Sequence, residues 1–152
     1  MGPNTLSSVQ SFIEPKKFAF IGISRDPKKF SRMAWKELSE KGFEMYPVNP
    51  NMDELEGKPC YKSFSDLPAG ITHAIIMTPK QQTAAVLQEA ITHGINNVWI
   101  QQGAETDEAI ALARQHNINF VQKACIMMFA QPMKNFHKFH RFFERLTGRY
   151  PK

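Results

Sequence analysis

The stretch from Phe18 to Ser31 constrains the fold of this chain more than any other part of the sequence. It opens with the uninterrupted apolar run Phe18–Ile21, which is typical of a strand buried on both faces of a parallel sheet. The run ends at Gly22, a residue type that can adopt a positive φ or bring the backbone close to a ligand. The first half of the stretch therefore predicts a strand that is buried on both faces and ends in a tight turn.

The second half of the stretch is a basic loop that leads into a helix. Its cations are Arg25, Lys28 and Lys29, and Ser31 is placed to cap a helix that stops at about Gly42. A strand, a loop and a helix N-terminus in this order form an anion site from free backbone amides and the helix dipole. We therefore expect a phosphate-bearing small molecule to lie over this loop.

Hydrophobic patterning along the rest of the chain predicts alternating strands and helices. The predicted strands are 18–22, 44–48, 73–77, 97–100 and 118–121, and the predicted helices are 7–14, 31–41, 81–93 and 107–116. The segment Met52–Leu67 reads as irregular, and Thr106 is placed to cap the last of these helices. This order predicts an α/β fold with a doubly wound, mainly parallel five-stranded sheet (Rossmann-like), in which ligands sit at the carboxyl ends of the strands.

Length and composition predict one soluble, cytoplasmic domain. The 152 residues are enough for a single core, which we place at about residues 17–126. The two cysteines form no CxxC pattern, so neither a disulfide framework nor a zinc site is predicted. Met1–Gln10 lacks the features of a signal peptide, and no apolar run approaches the ~20 residues that span a bilayer. We also predict no metal site.

The C-terminal part of the chain carries most of the net charge of +5. Its apolar residues recur at helical spacing, with basic residues between them, which predicts a C-terminal amphipathic helix at about 132–147. The apolar set is Met133, Phe136, Phe139, Phe143 and Leu146, and the basic set is Lys134, Lys138, Arg141 and Arg145. Packing on the sheet, a homodimer contact and an acidic protein partner all remain open for this helix. Nucleic acid is disfavoured because the aromatic residues fall mainly on the apolar face.

The phosphate loop matches neither of the common nucleotide-binding fingerprints. Gly22 stands alone where a nicotinamide-type site has GxGxxG, and the second strand ends in Val48-Asn49-Pro50 without an acid for the ribose hydroxyls. A GxxxxGK[ST] loop is absent as well. A divergent NAD-type enzyme or redox sensor stays open as the alternative, with a catalytic residue at Thr78, Gln102 or Cys125.

Several short motifs, in order along the chain, carry a family resemblance. They are Gly22-Ile23-Ser24 with Pro27, Lys28 and Ser31, then Pro47-Val48-Asn49-Pro50, Gly57–Tyr61, Thr78-Pro79, Trp99–Gly103 and Ala124-Cys125-Ile126. On these motifs the chain resembles the small bacterial CoA-binding proteins, whose Rossmann-like domain is similar to the N-terminal domain of the succinyl-CoA synthetase α-subunit. The resemblance covers roughly residues 17–126.

The resemblance implies coenzyme A or an acyl-CoA as the ligand and assigns parts of it to residues. The diphosphate would meet Gly22, Ile23, Ser24 and the amides before Ser31, with Lys28 and Arg25 neutralising its charge. Val48, Asn49 and Pro50 would border the adenine or ribose, Met77, Thr78 and Pro79 would line the pantetheine arm, and Gln101, Gln102 and Gly103 would close the far end. The chain ends before a phosphohistidine domain, so the resemblance implies a binding or regulatory module and no ligase chemistry.

Overall fold

The computed structural model of this chain describes residues 6–124 and residue 126. Cys125 and the predicted C-terminal helix at about 132–147 lie outside these residues. The elements are, in chain order, α1 (Leu6–Ile13), β1 (Lys17–Ile21), α2 (Phe30–Glu40), β2 (Glu44–Val48), β3 (Glu54–Leu55), β4 (Lys58–Pro59), β5 (His73–Ile76), α3 (Lys80–Thr92), β6 (Asn97–Gln101), α4 (Asp107–Gln115) and β7 (Asn119–Ala124). Within the described part, none of the helices is long and apolar enough to cross a bilayer.

Five strands form one parallel sheet in the order β2-β1-β5-β6-β7. This confirms the predicted doubly wound α/β fold. From β1 the chain passes through α2 to β2 on one side, whereas from β5 it passes through α3 and α4 to β6 and β7 on the other side. The direction of winding therefore reverses between β1 and β5. In open α/β sheets this topological switch point is where ligands bind, at the carboxyl ends of the strands.

The sheet is buried on both faces, as its apolar strands predict. Side chains alternate along β1, so Phe18 and Phe20 enter the core on the face covered by α1 and α2. Ala19 and Ile21 enter the core on the face covered by α3 and α4. The core on each face contains large side chains that are fully buried, among them Trp35 on the first face and Leu87 on the second. Strand β1 is thereby packed on both of its faces by the protein itself.

The element bounds predicted from the sequence differ from the observed ones by a few residues, with one larger error. The segment Met52–Leu67 was expected to be irregular, but it contains the antiparallel β3–β4 hairpin and a short 3₁₀ turn at Phe64–Asp66. The hairpin turn consists of Glu56 and Gly57, both with positive φ (48° and 82°), as in a type I′ turn. Strands of two residues are too short to show an alternating pattern, so the sequence could not reveal them.

His73, at the start of β5, connects the sheet to helix α1. Its Nε2 donates to the carbonyl oxygen of Ser11 at 3.0 Å, and its Nδ1 lies 2.9 Å from the hydroxyl oxygen of Thr72. The ring also lies beside Phe12 of α1, with 5.7 Å between the ring centroids. Burial lowers the pKa of His73 below its ordinary value of 6.5, so the neutral imidazole is the form that supports the docking of α1.

We expect the free energy of unfolding to fall as the pH drops below about 6.5, because the unfolded chain then takes up a proton at His73 before the folded chain does. The slope from this one group is at most about 1.4 kcal/mol per pH unit. Urea unfolding between pH 5 and pH 7.5 measures it, and His73→Gln should remove this component. The control is His93→Gln at an exposed helix end. An unchanged pH profile in His73→Gln would contradict the assignment.

Candidate functional site

The carboxyl ends of β1 and β5 lie side by side at the switch point. The amide of Met77, just after β5, donates to the carbonyl oxygen of Ile21 at 2.8 Å, so the two strands stay paired to their ends. They then separate, because Gly22 leads toward α2 while Thr78 leads toward α3. In open α/β sheets, loops that diverge in this way border the crevice in which ligands bind.

Gly22 is required by the neighbouring strand end. Its φ is +95°, which confirms the expected left-handed backbone. A Cβ atom at this position would overlap with the carbonyl oxygen of Met77 and would lie 2.9 Å from the amide nitrogen of Thr78. The close approach expected from the sequence is therefore to the backbone of another strand, and the fold demands glycine here before any ligand is considered.

Ser31 does not cap helix α2, so that prediction was wrong. The N-cap residue is Lys29, which makes no side-chain capping bond, and Ser31 lies inside the first turn of the helix. The loop folds back over this turn, and the Ser31 hydroxyl accepts a hydrogen bond from the amide of Ser24 at 3.0 Å. Because Ser31 is only 8% exposed, its side chain contacts the loop instead of solvent.

The loop between β1 and α2 is ordered by its own short polar side chains. The Ser24 hydroxyl accepts from the amide of Asp26 at 3.0 Å, and the Asp26 carboxylate accepts from the amide of Lys28 at 2.9 Å. Within the described residues the amides of Arg25, Phe30 and Ser31 donate to no acceptor. The same stretch of chain carries three exposed cations, Arg25, Lys28 and Lys29. The arrangement can hold an anion such as a diphosphate.

Arg32 is a residue that the sequence-based prediction missed. Its Nη1 donates to the carbonyl oxygens of Ser24 and Arg25 at 3.3 and 3.2 Å. Its Nη2 lies 3.4 Å from a carboxylate oxygen of Glu56 in the hairpin turn. A cation in the first turn of a helix is opposed by the helix dipole, so its presence there was the available signal that a local partner exists.

Asn49, at the end of β2, uses its side chain within the protein. Its Nδ2 donates to the carbonyl oxygen of Ile23 at 2.7 Å, and its Oδ1 accepts from the amide of Asn51 at 2.8 Å. The side chain thus joins the loop after β1 to the turn after β2. Val48 is buried beside it, whereas Pro50 is exposed. The carbonyl oxygen of Asn49 accepts from the amide of Met52 at 3.3 Å, so the exposed Pro50 is the residue of this turn that is left to border a ligand.

The segment Gly57–Tyr61 returns to the end of β2. The amide of Tyr61 donates to the carbonyl oxygen of Pro47 at 2.8 Å, and the amide of Asn49 donates to the carbonyl oxygen of Tyr61 at 2.9 Å. Burial raises the pKa of the Cys60 thiol in this segment, so the thiol is protonated at neutral pH and a poor nucleophile.

The residues predicted after β5 and β6 divide into buried and exposed positions. Thr78 is buried, and its hydroxyl lies 2.9 Å from that of Thr83. Gln101 is buried too, and its side-chain oxygen accepts from the amide of Ile126 at 3.1 Å. Pro79, Gln102 and Gly103 are exposed, and Met77 is half-buried. The side chains of Thr78 and Gln101 therefore stabilise the fold. The other four residues are open to a ligand.

The structure brings the predicted site residues into two groups. In the first group, Ser24 bonds to Ser31, Asn49 bonds to Ile23, and Gly22 packs against Met77 and Thr78. This group lies around the ends of β1, β2 and β5 and comprises Gly22, Ile23, Ser24, Arg25, Lys28, Ser31, Val48, Asn49, Pro50, Met77, Thr78 and Pro79. The second group, after β6, is tied to the end of β7 instead, since the amide of Gln102 donates to the carbonyl oxygen of Ala124 at 3.3 Å. Both groups lie at the carboxyl edge of the same sheet.

Comparison with known proteins shows which family model this chain matches. Residues 16–131 match the family model described as CoA binding domain. The chain is 31% identical over 126 residues to the α subunit of the ADP-forming acetate–CoA ligase II of Pyrococcus furiosus, a match that covers 76% of this chain and 28% of that subunit. It is 27% identical to the protein YneT of Bacillus subtilis, covering 73% of this chain and 82% of YneT.

Solved structures share the fold described above. A conserved hypothetical protein from Pyrococcus furiosus superposes with a TM-score of 0.70 at 36% sequence identity, covering 73% of this chain and 96% of that chain. A hypothetical protein from Pyrococcus horikoshii superposes with a TM-score of 0.75 at 29% identity, covering 84% of this chain and 92% of that chain.

Proposed function

The chain belongs to the family of CoA binding domains, and from that premise we propose that it binds coenzyme A or an acyl-CoA across the carboxyl ends of β1, β2 and β5. The observation that carries the proposal is the loop between β1 and α2. The amides of Arg25 in this loop and of Phe30 and Ser31 in the first turn of α2 have no acceptors in the described residues, and the loop carries three exposed cations at the switch point of the sheet.

The accessible groups suggest how the parts of the ligand are distributed. The diphosphate would lie over the loop after Gly22, against the amides and the side chains of Arg25 and Lys28. The adenine or ribose would border the turn at Asn49 and Pro50, where the proline ring is exposed. The pantetheine arm would pass Met77 and Pro79 toward Gln102 and Gly103, all of which are at least partly exposed.

We further propose that the protein is a cytoplasmic binding or regulatory module that catalyses no reaction by itself. The chain spans 28% of the ligase subunit that it matches, and 19% and 17% of two other ADP-forming acetate–CoA ligases. The ligase activity in their names refers to those longer proteins. A homodimer or a protein partner bound through the predicted C-terminal helix remains a prediction.

A divergent NAD-type enzyme is the alternative, and two features of the site speak against it. NAD-binding domains place an acid at the end of the second strand for the ribose hydroxyls, and this chain has Asn49 there, with its amide group occupied by Ile23 and Asn51. The hydroxyl of Thr78, one of the residues considered for catalysis, is buried against Thr83.

A thermal-shift titration with CoA, acetyl-CoA, NAD and ATP tests the proposal. A ligand that binds only the folded state raises its apparent stability according to the ratio of ligand concentration to dissociation constant. We expect stabilisation by the two CoA compounds and a smaller effect or none with NAD and ATP. Protein should first be refolded from denaturant to release any co-purified CoA. A shift with NAD alone would replace the proposal by the alternative.

Lys28→Ala is expected to weaken CoA binding by about 1–2 kcal/mol, the scale of one lost charge-assisted hydrogen bond. Isothermal titration calorimetry at fixed salt measures the change. The matched control is Lys36→Ala, which removes the same charge from an exposed position farther along α2. Equal losses in both variants would mean that only the overall charge matters and that Lys28 makes no contact with the ligand.

A further inference from the structure

The loop after β1 has its carbonyl oxygens held on one side by other parts of the protein. The carbonyl of Ile23 accepts from the Asn49 side chain, and the next two carbonyls, of Ser24 and Arg25, accept from Arg32. A peptide loop can bind a diphosphate only if its amides face the ligand, since carbonyl oxygens would repel it. Three consecutive carbonyls turned to side-chain donors satisfy this requirement before the ligand arrives.

The guanidinium of Arg32 makes its hydrogen bonds with other groups of the protein and is largely shielded from solvent. Its side chain is 14% exposed, and its Nε is buried and donates to no described group. Its two other nitrogens reach the loop carbonyls on one side and Glu56 on the other. A buried Nε without a partner indicates that the orientation of the guanidinium is set by these other contacts.

Glu56 stands where simple electrostatics would exclude it. It adds a negative charge beside a loop that we propose to bind an anion, and it occupies a turn position with a φ of +48°, which side chains rarely adopt. The type I′ turn of the β3–β4 hairpin fixes its backbone, and its carboxylate lies 3.4 Å from Arg32. Its contact with Arg32 gives a reason for the charge.

We propose that Arg32 is a positioning residue of the CoA site and that Glu56 anchors it. Arg32 holds the carbonyls of Ser24 and Arg25 away from the ligand, so that the amides of the loop face the diphosphate, and Glu56 keeps the guanidinium under the loop. The hairpin thereby becomes part of the binding machinery without touching the ligand. This inference rests on the proposed CoA-binding function.

The direction in which Glu56→Ala changes the affinity for CoA tests the proposal. Removing a carboxylate near an anion site should strengthen binding if only charge matters, whereas the anchoring role predicts that Glu56→Ala weakens CoA binding, by about 3- to 10-fold, the scale of one hydrogen bond. The matched control is Glu54→Ala on the same hairpin, an exposed glutamate for which no side-chain contact is present within the described residues. Titration calorimetry at a temperature where all variants are folded measures both affinities.

Arg32→Lys separates positioning from direct contact with the phosphates. It keeps the charge but cannot reach both carbonyls and Glu56 at once, so we expect an affinity loss similar to that of Glu56→Ala with an unchanged dependence of affinity on salt. Combining the two substitutions should cost little more than either alone. Full affinity in Arg32→Lys, or Glu56→Ala binding as tightly as Glu54→Ala, would overturn the proposal.

A ligand-free measurement keeps this proposal distinct from the proposed function. The amide of Ser24 is protected by its bond to Ser31, and losing the Arg32 contacts should free the loop and accelerate hydrogen exchange at this amide. We expect faster exchange in Arg32→Lys and Glu56→Ala but not in Glu54→Ala, with or without CoA. If the unaltered protein binds no CoA, the proposed function fails, while exchange still decides whether Arg32 orders the loop; unchanged exchange would refute that role.

Discussion

Gly22→Ala is expected to lower the free energy of unfolding by about 3–5 kcal/mol, the range of severe single substitutions. Two costs combine. A residue with a side chain pays about 1–2 kcal/mol for the left-handed backbone that Gly22 adopts at φ +95°. The new Cβ would also overlap with the backbone carbonyl of Met77, which cannot rotate away as a side chain could. Urea unfolding followed by circular dichroism measures the loss.

Gly103→Ala is the matched control for this substitution. Gly103 has the same φ of +95°, but no atom would lie within 4 Å of an added Cβ. Its loss should therefore be limited to the backbone term of about 1–2 kcal/mol. The difference between the two variants isolates the contact between the ends of β1 and β5. Equal losses would mean that these strand ends are not in such close contact in solution.

This expectation changes how the binding site can be probed. A larger residue at Gly22, such as valine, would be the obvious way to block a ligand at this loop. Because the clash is with Met77, any loss of binding in a Gly22 variant would be confounded by damage to the fold. Lys28 and Glu56 are better positions for binding experiments, since both are exposed at the surface.

Asn49→Asp should cost about 2–3 kcal/mol of folding free energy at neutral pH, the scale of a buried acceptor left unpaired beside a charge. Asparagine and aspartate have the same shape, but the Nδ2 donor that lies 2.7 Å from the carbonyl oxygen of Ile23 becomes an oxygen. Two acceptors would then face each other across the junction between the loops after β1 and β2. Urea unfolding at pH 7 measures the loss.

The pH dependence of this variant identifies the cause. The Ile23 carbonyl should raise the pKa of the new carboxyl group in the folded state, since only the protonated form can donate to it. The folded chain then binds the proton more tightly than the unfolded chain, so the deficit should shrink as the pH falls toward 4 and grow as it rises. Asn51→Asp, which adds the same charge at an exposed position, should show neither the loss nor this trend.

The features that were predicted correctly depend on residues that are close to one another in the sequence. The strand Glu44–Val48 was predicted with its observed bounds, because its residues lead directly into a turn at Asn49-Pro50. Thr106 caps α4 as predicted, with its hydroxyl accepting from the amide of Ala109 at 3.1 Å. The alternation of such elements and the short motifs at the strand ends were enough to identify the fold class and the family.

Contacts between residues distant along the chain were decided only by the tertiary structure. The sequence marked Gly22 as special, but the reason is Met77 on a strand that becomes its neighbour only when the sheet forms. It marked Ser31 as a cap, but the loop folds back and takes the hydroxyl for Ser24. It gave no sign that Arg32 and Glu56 meet, because the hairpin that presents Glu56 has strands of two residues and no pattern of its own. Periodicity and capping report the chain's neighbours in sequence, whereas the shape of this site depends on which strand ends pack together.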